Sequence, residues 1–261
     1  MRQRFVTALM ILPPVLVAFW LGGLWWTVLI LLAAILGSYE LFSMLAQGNY
    51  RPASWIGYPW VVALVLSFSP LLAAVPLSFL IYAGIIAVFI YAMYQTEKPL
   101  ATWVSTSTGV IYLGVLLGHV LGLRLLPGGF WWVTLAALVT WGNDTVAYFV
   151  GVTVGKHKMW PRLSPKKSWE GTVGGWIGAG LIGAGIGHFS PLALGWQTGA
   201  FIGMACGVLA LYGDLSISLV KRQVGAKDSG RLFPGHGGML DRLDSLLFVF
   251  PFVYHIVLLI G

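Results

Sequence analysis

The sequence has too few charged residues to cover the surface of a water-soluble fold. Only 9% of the 261 residues are charged, whereas a soluble domain carries about 25%. Hydrophobic residues make up 58% of the chain and form long runs, and residues 55–94 contain no Asp, Glu, Lys or Arg. Because open sheet edges cannot face lipid and these runs are too long for barrel strands, the sequence predicts membrane-spanning helices.

We therefore predict an all-α, polytopic integral membrane protein, with about nine transmembrane helices in a single transmembrane domain, residues 1–261. The helices are predicted at about 5–22, 24–45, 54–69, 71–94, 101–123, 130–150, 170–189, 197–220 and 244–261. No clear A-x-A cleavage site follows the first apolar run, so we expect that helix to be retained. With the N-terminus in the cytoplasm, every Lys and Arg except Arg124 falls on the cytoplasmic side. This is the positive-inside pattern, and it predicts a cytoplasmic N-terminus.

Three acidic residues fall inside predicted spans: Glu40, Asp144 and Asp214. A charge near the bilayer centre costs at least about 2.5–3.5 kcal/mol, so such residues normally face the bundle interior and have a partner. Asp144 and Asp214 are therefore functional candidates, the alternative being a buried ion pair or hydrogen bond. Glu40 lies near the cytoplasmic end of its helix, where it could equally reach the membrane interface.

The remaining polar residues predict a phosphate site with a metal. Asp214, Ser218, Lys221 and Arg222 share one helical face, while Asp241 and Asp244 could be metal ligands or helix caps. Carboxylates suit Mg²⁺ together with substrate phosphates, and the single cysteine, Cys206, excludes a Cys-based site. Anionic lipid headgroups attract basic loops, but these loops also suit phosphate binding. Their basic residues are Lys166, Lys167, Lys221, Arg222, Lys227, Arg231 and Arg242. His236, Gly237 and Gly238 precede Asp241 in a glycine-rich loop that could approach a ligand closely.

Residues 218–244 closely resemble the signature of the phosphatidate cytidylyltransferases. The matching elements are Ser218, Lys221-Arg222, Lys227-Asp228, His236-Gly237-Gly238 and Asp241-Arg242-Leu243-Asp244. Two further segments resemble the same family: Trp141-Gly142-Asn143-Asp144 with Ala147-Tyr148, and the sequence SPKKSWEG at 164–171. We accordingly expect residues 140–261 to form catalytic helices and cytoplasmic loops, and residues 1–139 to be mainly a scaffold.

The resemblance implies an Mg²⁺-dependent nucleotidyltransferase of phospholipid biosynthesis. It would transfer CMP from CTP to phosphatidic acid, giving CDP-diacylglycerol and pyrophosphate. Asp214 and Asp241 would be the main metal ligands, with Asp144 and Asp244 nearby. Asp214, Asp241, Asp244, Lys221 and Arg222 would be catalytic. Substrate-binding residues would be Asn143, Lys166, Lys167, Ser218, Lys227, Arg231, His236, Gly237, Gly238 and Arg242.

The same resemblance implies an inner-membrane location, with the active site on the cytoplasmic side. No nucleic acid is expected as a partner. Participation of a monovalent cation beside Mg²⁺ and assembly as a homodimer stay open.

Two rival functions also fit some of these residues. An anion transporter or channel would suit the intramembrane carboxylates and the basic loops, but it predicts charges at both faces of the bundle rather than at one. Another lipid nucleotidyl- or phosphoryltransferase, such as a polyprenol kinase, is harder to separate by sequence. The motif of the CDP-alcohol phosphotransferases is absent.

Overall fold

A computed structural model describes residues 2–230, 232–233 and 237–260, with side chains from Leu12 onward. This part of the chain is mostly helical, as predicted. The helices are α1 (Arg2–Leu21), α2 (Gly23–Gln47), α3 (Ser54–Leu66), α4 (Leu77–Met93), α5 (Pro99–Leu125), α6 (Gly129–Thr153), α7 (Trp169–Phe189), α8 (Trp196–Gln223), α9 (Leu240–Leu243) and α10 (Leu246–Ile260). Each predicted helix corresponds to one of these.

Within the described ranges, α2, α5 and α8 are the helices long and apolar enough to cross a membrane by themselves. The apolar helices α3, α4 and α10 are shorter, as is usual for helices that proline interrupts or precedes. Pro59 and Pro251 lie inside α3 and α10, and Pro76 precedes α4. α4 therefore begins at Leu77 rather than near residue 71, because residues 67–76 form turns around Pro70 and Pro76. The number of spans and their orientation stay predictions.

The mostly helical chain agrees with the predicted all-α class, but between α6 and α7 it also forms a two-stranded antiparallel hairpin that was not predicted. β1 (Lys158–Trp160) pairs with β2 (Ser164–Ser168), with Lys158 opposite Ser168 and Trp160 opposite Ser164. The hairpin leads directly into α7, which begins at Trp169. It therefore fixes the basic segment that contains Lys166 and Lys167.

The chain divides into two compact units. Unit 1 comprises residues 1–125 and 220–242, and unit 2 comprises residues 126–219 and 243–261. Residues 220–242 thus group with the N-terminal helices, and the division into scaffold (1–139) and catalytic (140–261) parts stays a prediction. In unit 1, α5 packs against α2, α3 and α4, and fully buried leucines such as Leu64, Leu113 and Leu117 fill the space between them.

Unit 2 is held together by glycine-mediated helix contacts. α6 packs along α7, and α7 meets α8 backbone to backbone. A Cβ atom on Gly183 would lie only 2.2 Å from the Gly199 carbonyl oxygen, and one on Gly199 would lie 2.2 Å from the Gly183 carbonyl oxygen. Small residues permit this close approach, which stabilises helix pairs in lipid.

We predict that Gly183→Ala lowers the midpoint of thermal unfolding in detergent. The added methyl group would force α7 and α8 apart, and such overpacking costs about 1–3 kcal/mol. Gly185→Ala on the same helix is the matched control, because nothing lies within 4 Å of its Cβ position. That variant should be neutral or slightly stabilising, since alanine is the better helix former. Equal effects of the two substitutions would contradict the backbone contact.

Candidate active site

In unit 2, the structure brings together two of the predicted carboxylates and one predicted lysine. Lys167 forms a salt bridge through Nζ with Asp214 Oδ2, and each of these side chains is 26% exposed. The Asp144 carboxylate interacts electrostatically with both Lys167 and Asp214. Asp144 lies on α6, Lys167 on β2 and Asp214 on α8, so three separate elements contribute to this cluster.

The hairpin and the start of α7 set the position of Lys167. Side chains alternate along a strand, and Lys166 is exposed whereas Lys167 is half-buried against Asp214. The next residue, Ser168, caps α7, because its side chain accepts a hydrogen bond from the Gly171 backbone N–H at 3.2 Å. This cap joins the strand rigidly to the helix. Lys167 is thereby held next to Asp214 rather than left on a free loop.

Asn143 is buried beside the same cluster. Its Nδ2 donates a hydrogen bond to Asp144 Oδ1 at 3.2 Å. Its Oδ1 is buried between Gly175 of α7 and Gly207 of α8, and accepts no hydrogen bond from the described residues. Asn143 therefore orients the Asp144 carboxylate. Its predicted contact with substrate stays a prediction.

Asp244 and Ser218 lie in unit 2 as well. A Cβ atom on Gly213, next to Asp214 in the chain, would lie 2.5 Å from the Asp244 carbonyl oxygen, so α8 touches the backbone at the start of α10. Asp244 Oδ1 accepts a hydrogen bond from the backbone N–H of the next residue, Ser245, at 2.7 Å. Ser218 is buried on α8, one turn beyond Asp214.

A second Lys–Asp pair lies in unit 1. Lys221 donates from Nζ to Asp241 Oδ1 at 2.7 Å, and both side chains are only 10% exposed. This pair is more buried than the pair of Lys167 and Asp214, so each of its charges depends more strongly on the other for stabilisation.

Asp241 also organises the glycine-rich segment that precedes it. Its Oδ2 accepts hydrogen bonds from the Ser229 backbone N–H at 2.8 Å, the Ser229 hydroxyl at 3.0 Å and the Gly238 backbone N–H at 3.0 Å. Gly237 adopts φ +79°, and a Cβ atom there would lie 2.5 Å from Asp241 Oδ2. Only glycine fits this position without strain.

Opposing effects set the pKa of the Asp241 carboxyl. Burial acts to raise this pKa, but hydrogen bonds from Gly238, Lys221 and Ser229 outweigh burial and hold it below its ordinary value. The stability that ionised Asp241 contributes is therefore complete above the unfolded pKa, near about 3.9. It is lost as the pH falls through the lower folded pKa.

Sequence reasoning left the role of Glu40 open, and the structure places it next to this segment. Glu40, on α2, is 4% exposed and accepts hydrogen bonds from Ser229, Met239 and Leu240. The only signal in the sequence was the cost of placing a carboxylate inside a predicted span. Ser229 was missed altogether, because a serine in a glycine-rich loop is unremarkable by composition.

The other predicted site residues lie at the periphery or outside the described ranges. Lys166, Arg222, Lys227 and Arg242 are exposed. Arg222 donates a hydrogen bond to the Ala226 carbonyl oxygen at 3.2 Å. Arg231 and His236 lie outside the described residues.

The described residues of each unit contain no group of three or more His, Cys, Asp or Glu side chains that could hold a metal ion. Two carboxylates with a lysine, as in unit 2, suit a divalent cation that is completed by substrate phosphates. The predicted set of four aspartates stays a prediction.

Comparisons with known proteins agree with the motif resemblance. The sequence profile of the cytidylyltransferase family matches residues 2–260. The phosphatidate cytidylyltransferase of Bacillus subtilis is 33% identical over 271 residues, covering 99% of this chain and 98% of that protein. The enzyme of the same name from Synechocystis is 33% identical, covering 99% of this chain and 97% of that protein. That of Brucella abortus biovar 1 is 31% identical, covering 97% and 92%.

Proposed function

Because the chain belongs to the cytidylyltransferase family, we propose that it transfers CMP from CTP to phosphatidic acid, giving CDP-diacylglycerol and pyrophosphate. The observation that carries the proposal is the near full-length match to relatives named for this reaction. Lys167, Lys221 and Asp241 lie in segments that resemble the family's motifs, and Asp214 is the partner of Lys167, so the paired charges coincide with residues expected to act.

The reaction needs charge neutralisation more than it needs a base. An oxygen of the phosphatidic acid phosphate attacks the α-phosphorus of CTP, and the bond from that phosphorus to the bridging oxygen of the β-phosphate breaks, releasing pyrophosphate. A phosphomonoester has a second pKa near about 6 and is already mostly a dianion at neutral pH. Positioned cations therefore do most of the catalysis, by holding two anionic substrates together. Lys167 and Lys221 are positioned cations of this kind.

The carboxylates fit the Mg²⁺ that this chemistry uses. Asp144 and Asp214 are hard oxygen donors on separate helices and interact electrostatically in the described structure. Among the described residues, three donors contact Oδ2 of Asp241 and Lys221 contacts Oδ1, so Oδ1 is the oxygen suited to a cation. We propose, as the sequence predicted, that Asp144, Asp214, Asp241 and Asp244 are metal ligands. When bound, the ion would neutralise charge on the triphosphate.

The protein is a membrane protein, and the proposed reaction suits the cytoplasmic face of the inner membrane. Lys and Arg concentrate in the segments expected on that side. CTP would reach the site from the cytoplasm, whereas the acyl chains of phosphatidic acid would remain in the bilayer.

The proposal is tested by transfer of radiolabel from [α-³²P]CTP into a chloroform-soluble product by the purified protein. We expect transfer only when phosphatidic acid and Mg²⁺ are both present, with pyrophosphate released in equal amount. Label transfer to a polyprenol or another lipid acceptor instead would point to a related transferase. Anion flux through proteoliposomes without nucleotide turnover would favour the transporter.

We predict that Lys221→Met lowers kcat/KM for CMP transfer by about 10- to 100-fold, the usual effect of losing one charged contact to a substrate or to a catalytic carboxylate. Methionine keeps the length of the side chain but removes the charge that Asp241 Oδ1 accepts. Lys98→Met is the control, because Lys98 belongs to the same unit and is exposed. An unchanged kinetic profile for Lys221→Met would mean that Lys221 serves only as the structural partner of Asp241.

A further inference from the structure

We propose that Glu40 is a positioning residue for CMP transfer, acting through the segment that presents Asp241 and Lys221. This inference rests on the proposed function. The Asp241 loop is defined here by its described residues Ser229, Gly230, Gly237, Gly238 and Asp241. Glu40 comes from α2, far away in the sequence, and its hydrogen bonds tie this loop to the helices of unit 1.

Both oxygens of the Glu40 carboxylate accept hydrogen bonds from the segment next to Asp241. Oε1 accepts from the Met239 backbone N–H at 2.8 Å, and Oε2 accepts from the Leu240 backbone N–H at 3.0 Å. These two amides lie at the start of α9, the short helix that contains Asp241. They would otherwise be buried without a partner, because the first N–H groups of a helix have no acceptor within it.

One hydroxyl group links Glu40 to Asp241. The Ser229 Oγ lies 2.9 Å from Glu40 Oε2 and 3.0 Å from Asp241 Oδ2. A serine hydroxyl has a single proton, so the two carboxylates compete for the same donor. A change in the position or charge of Glu40 therefore alters the hydrogen bonding of Asp241, which in turn pairs with Lys221.

Two glycines of the Asp241 loop approach the Glu40 carboxylate closely. A Cβ atom on Gly238 would lie 2.3 Å from Glu40 Oε2, and one on Gly230 would lie 2.6 Å from Glu40 Oε1. One turn earlier on α2, Gly37 packs against the fully buried side chain of Leu240. The loop is thus fixed by apolar packing at Gly37 and by hydrogen bonds at Glu40, and only the second contact reaches Asp241.

Glutamine cannot replace glutamate in this arrangement. Its single carbonyl oxygen can accept hydrogen bonds either from Met239 or from Leu240 and Ser229, but not from both sides. Its NH₂ group must then face the backbone N–H on the other side. Glu40→Gln should therefore release one side of the loop while keeping the volume of the side chain and the contact of Gly37 with Leu240. Asp241 and Lys221 would be displaced slightly, and a displacement of about 1 Å at a reacting group can cost on the order of 100-fold in rate.

The test compares Glu40→Gln with Glu97→Gln, a glutamate of the same unit that pairs with Arg51 at the surface. We expect Glu40→Gln to lower kcat by about 10- to 100-fold with little change in KM for CTP. Hydrogen exchange should accelerate at the Met239 and Leu240 amides, and the thermal midpoint in detergent should fall by no more than the loss of one buried hydrogen bond explains. Glu97→Gln should match the parent in all three measurements.

Each outcome has a distinct meaning. A lower thermal midpoint with unchanged kcat per folded molecule would make Glu40 a purely structural residue and overturn the inference. Unchanged exchange at Met239 and Leu240 would show that Glu40 does not hold the loop, which would also overturn it. If the parent protein transferred no CMP at all, the proposed function would fall, whereas faster exchange in Glu40→Gln would still show the tether.

A second pair of variants checks the link through Ser229. Ser229→Ala removes the shared hydroxyl but leaves the backbone donors of Met239 and Leu240 in place. If Glu40 acts on Asp241 through this hydroxyl, the double variant Glu40→Gln/Ser229→Ala should lose less activity than the two single losses multiplied together. Fully multiplicative losses would mean that the two residues act independently, contrary to the proposed link.

Discussion

Replacing Asp214 with asparagine is expected to lower kcat for CMP transfer by about 10²- to 10³-fold, the range seen when one preorganised electrostatic contact to a transition state is lost. Asparagine keeps the shape of the side chain but removes the charge that Lys167 and Asp144 sense. Asp214 has two roles in the proposed site, as a cation ligand and as the partner that holds Lys167. Both roles require the negative charge. The effect on kcat is measured as label transfer from CTP at saturating substrate and Mg²⁺.

A purely structural ion pair would behave differently. If Asp214 served only to neutralise Lys167, the double variant Asp214→Asn/Lys167→Met would leave neither charge unpaired and should regain activity. We expect no recovery, because the same variant also removes a metal ligand and a phosphate-binding cation. Glu97→Gln again provides the control for loss of one acidic group, and near-parental activity of Asp214→Asn would remove Asp214 from the site.

Apolar runs determine most of this fold, which is why the sequence predicts its helices well. A helix in lipid must satisfy all of its backbone hydrogen bonds internally, so the length of an apolar run translates almost directly into a helix. Proline sets the exceptions, as at Pro76, where α4 begins later than predicted. The hairpin was missed because its strands have only three and five residues and one of them contains Pro165, so no alternating pattern could develop.

The site was predictable as a set of residues but not as a set of contacts. The cost of placing a charge inside the membrane indicated Asp144 and Asp214, whereas helical spacing and the basic loops indicated Asp241, Lys167 and Lys221; the motif resemblance agreed with this set. The pairing of each lysine with its aspartate depends on how the helices pack, which no local pattern encodes. Glu40 shows this most clearly, because its partner Ser229 lies 189 residues away in the sequence.

Replacing Asp241 with asparagine is expected to lower kcat by about 10²- to 10³-fold, more than Lys221→Met does. Asp241 receives donors on both oxygens, from Lys221 at Oδ1 and from Ser229 and Gly238 at Oδ2. An asparagine with its oxygen toward the loop amides would point its NH₂ group at the Lys221 ammonium. The opposite orientation would point that NH₂ group at the N–H groups of Ser229 and Gly238, so no rotamer satisfies both sides.

The same substitution should also destabilise unit 1. Removing one partner of a buried pair costs about 3–5 kcal/mol, because the other charge stays buried without compensation, and the Lys221 and Asp241 side chains are each only 10% exposed. We therefore expect Asp241→Asn to lower both kcat and the thermal midpoint in detergent. The double variant Asp241→Asn/Lys221→Met should recover part of the stability, since it leaves no charge unpaired, but none of the activity. Recovery of activity together with stability would show that Asp241 matters only as the partner of Lys221 and takes no part in binding a cation or a substrate.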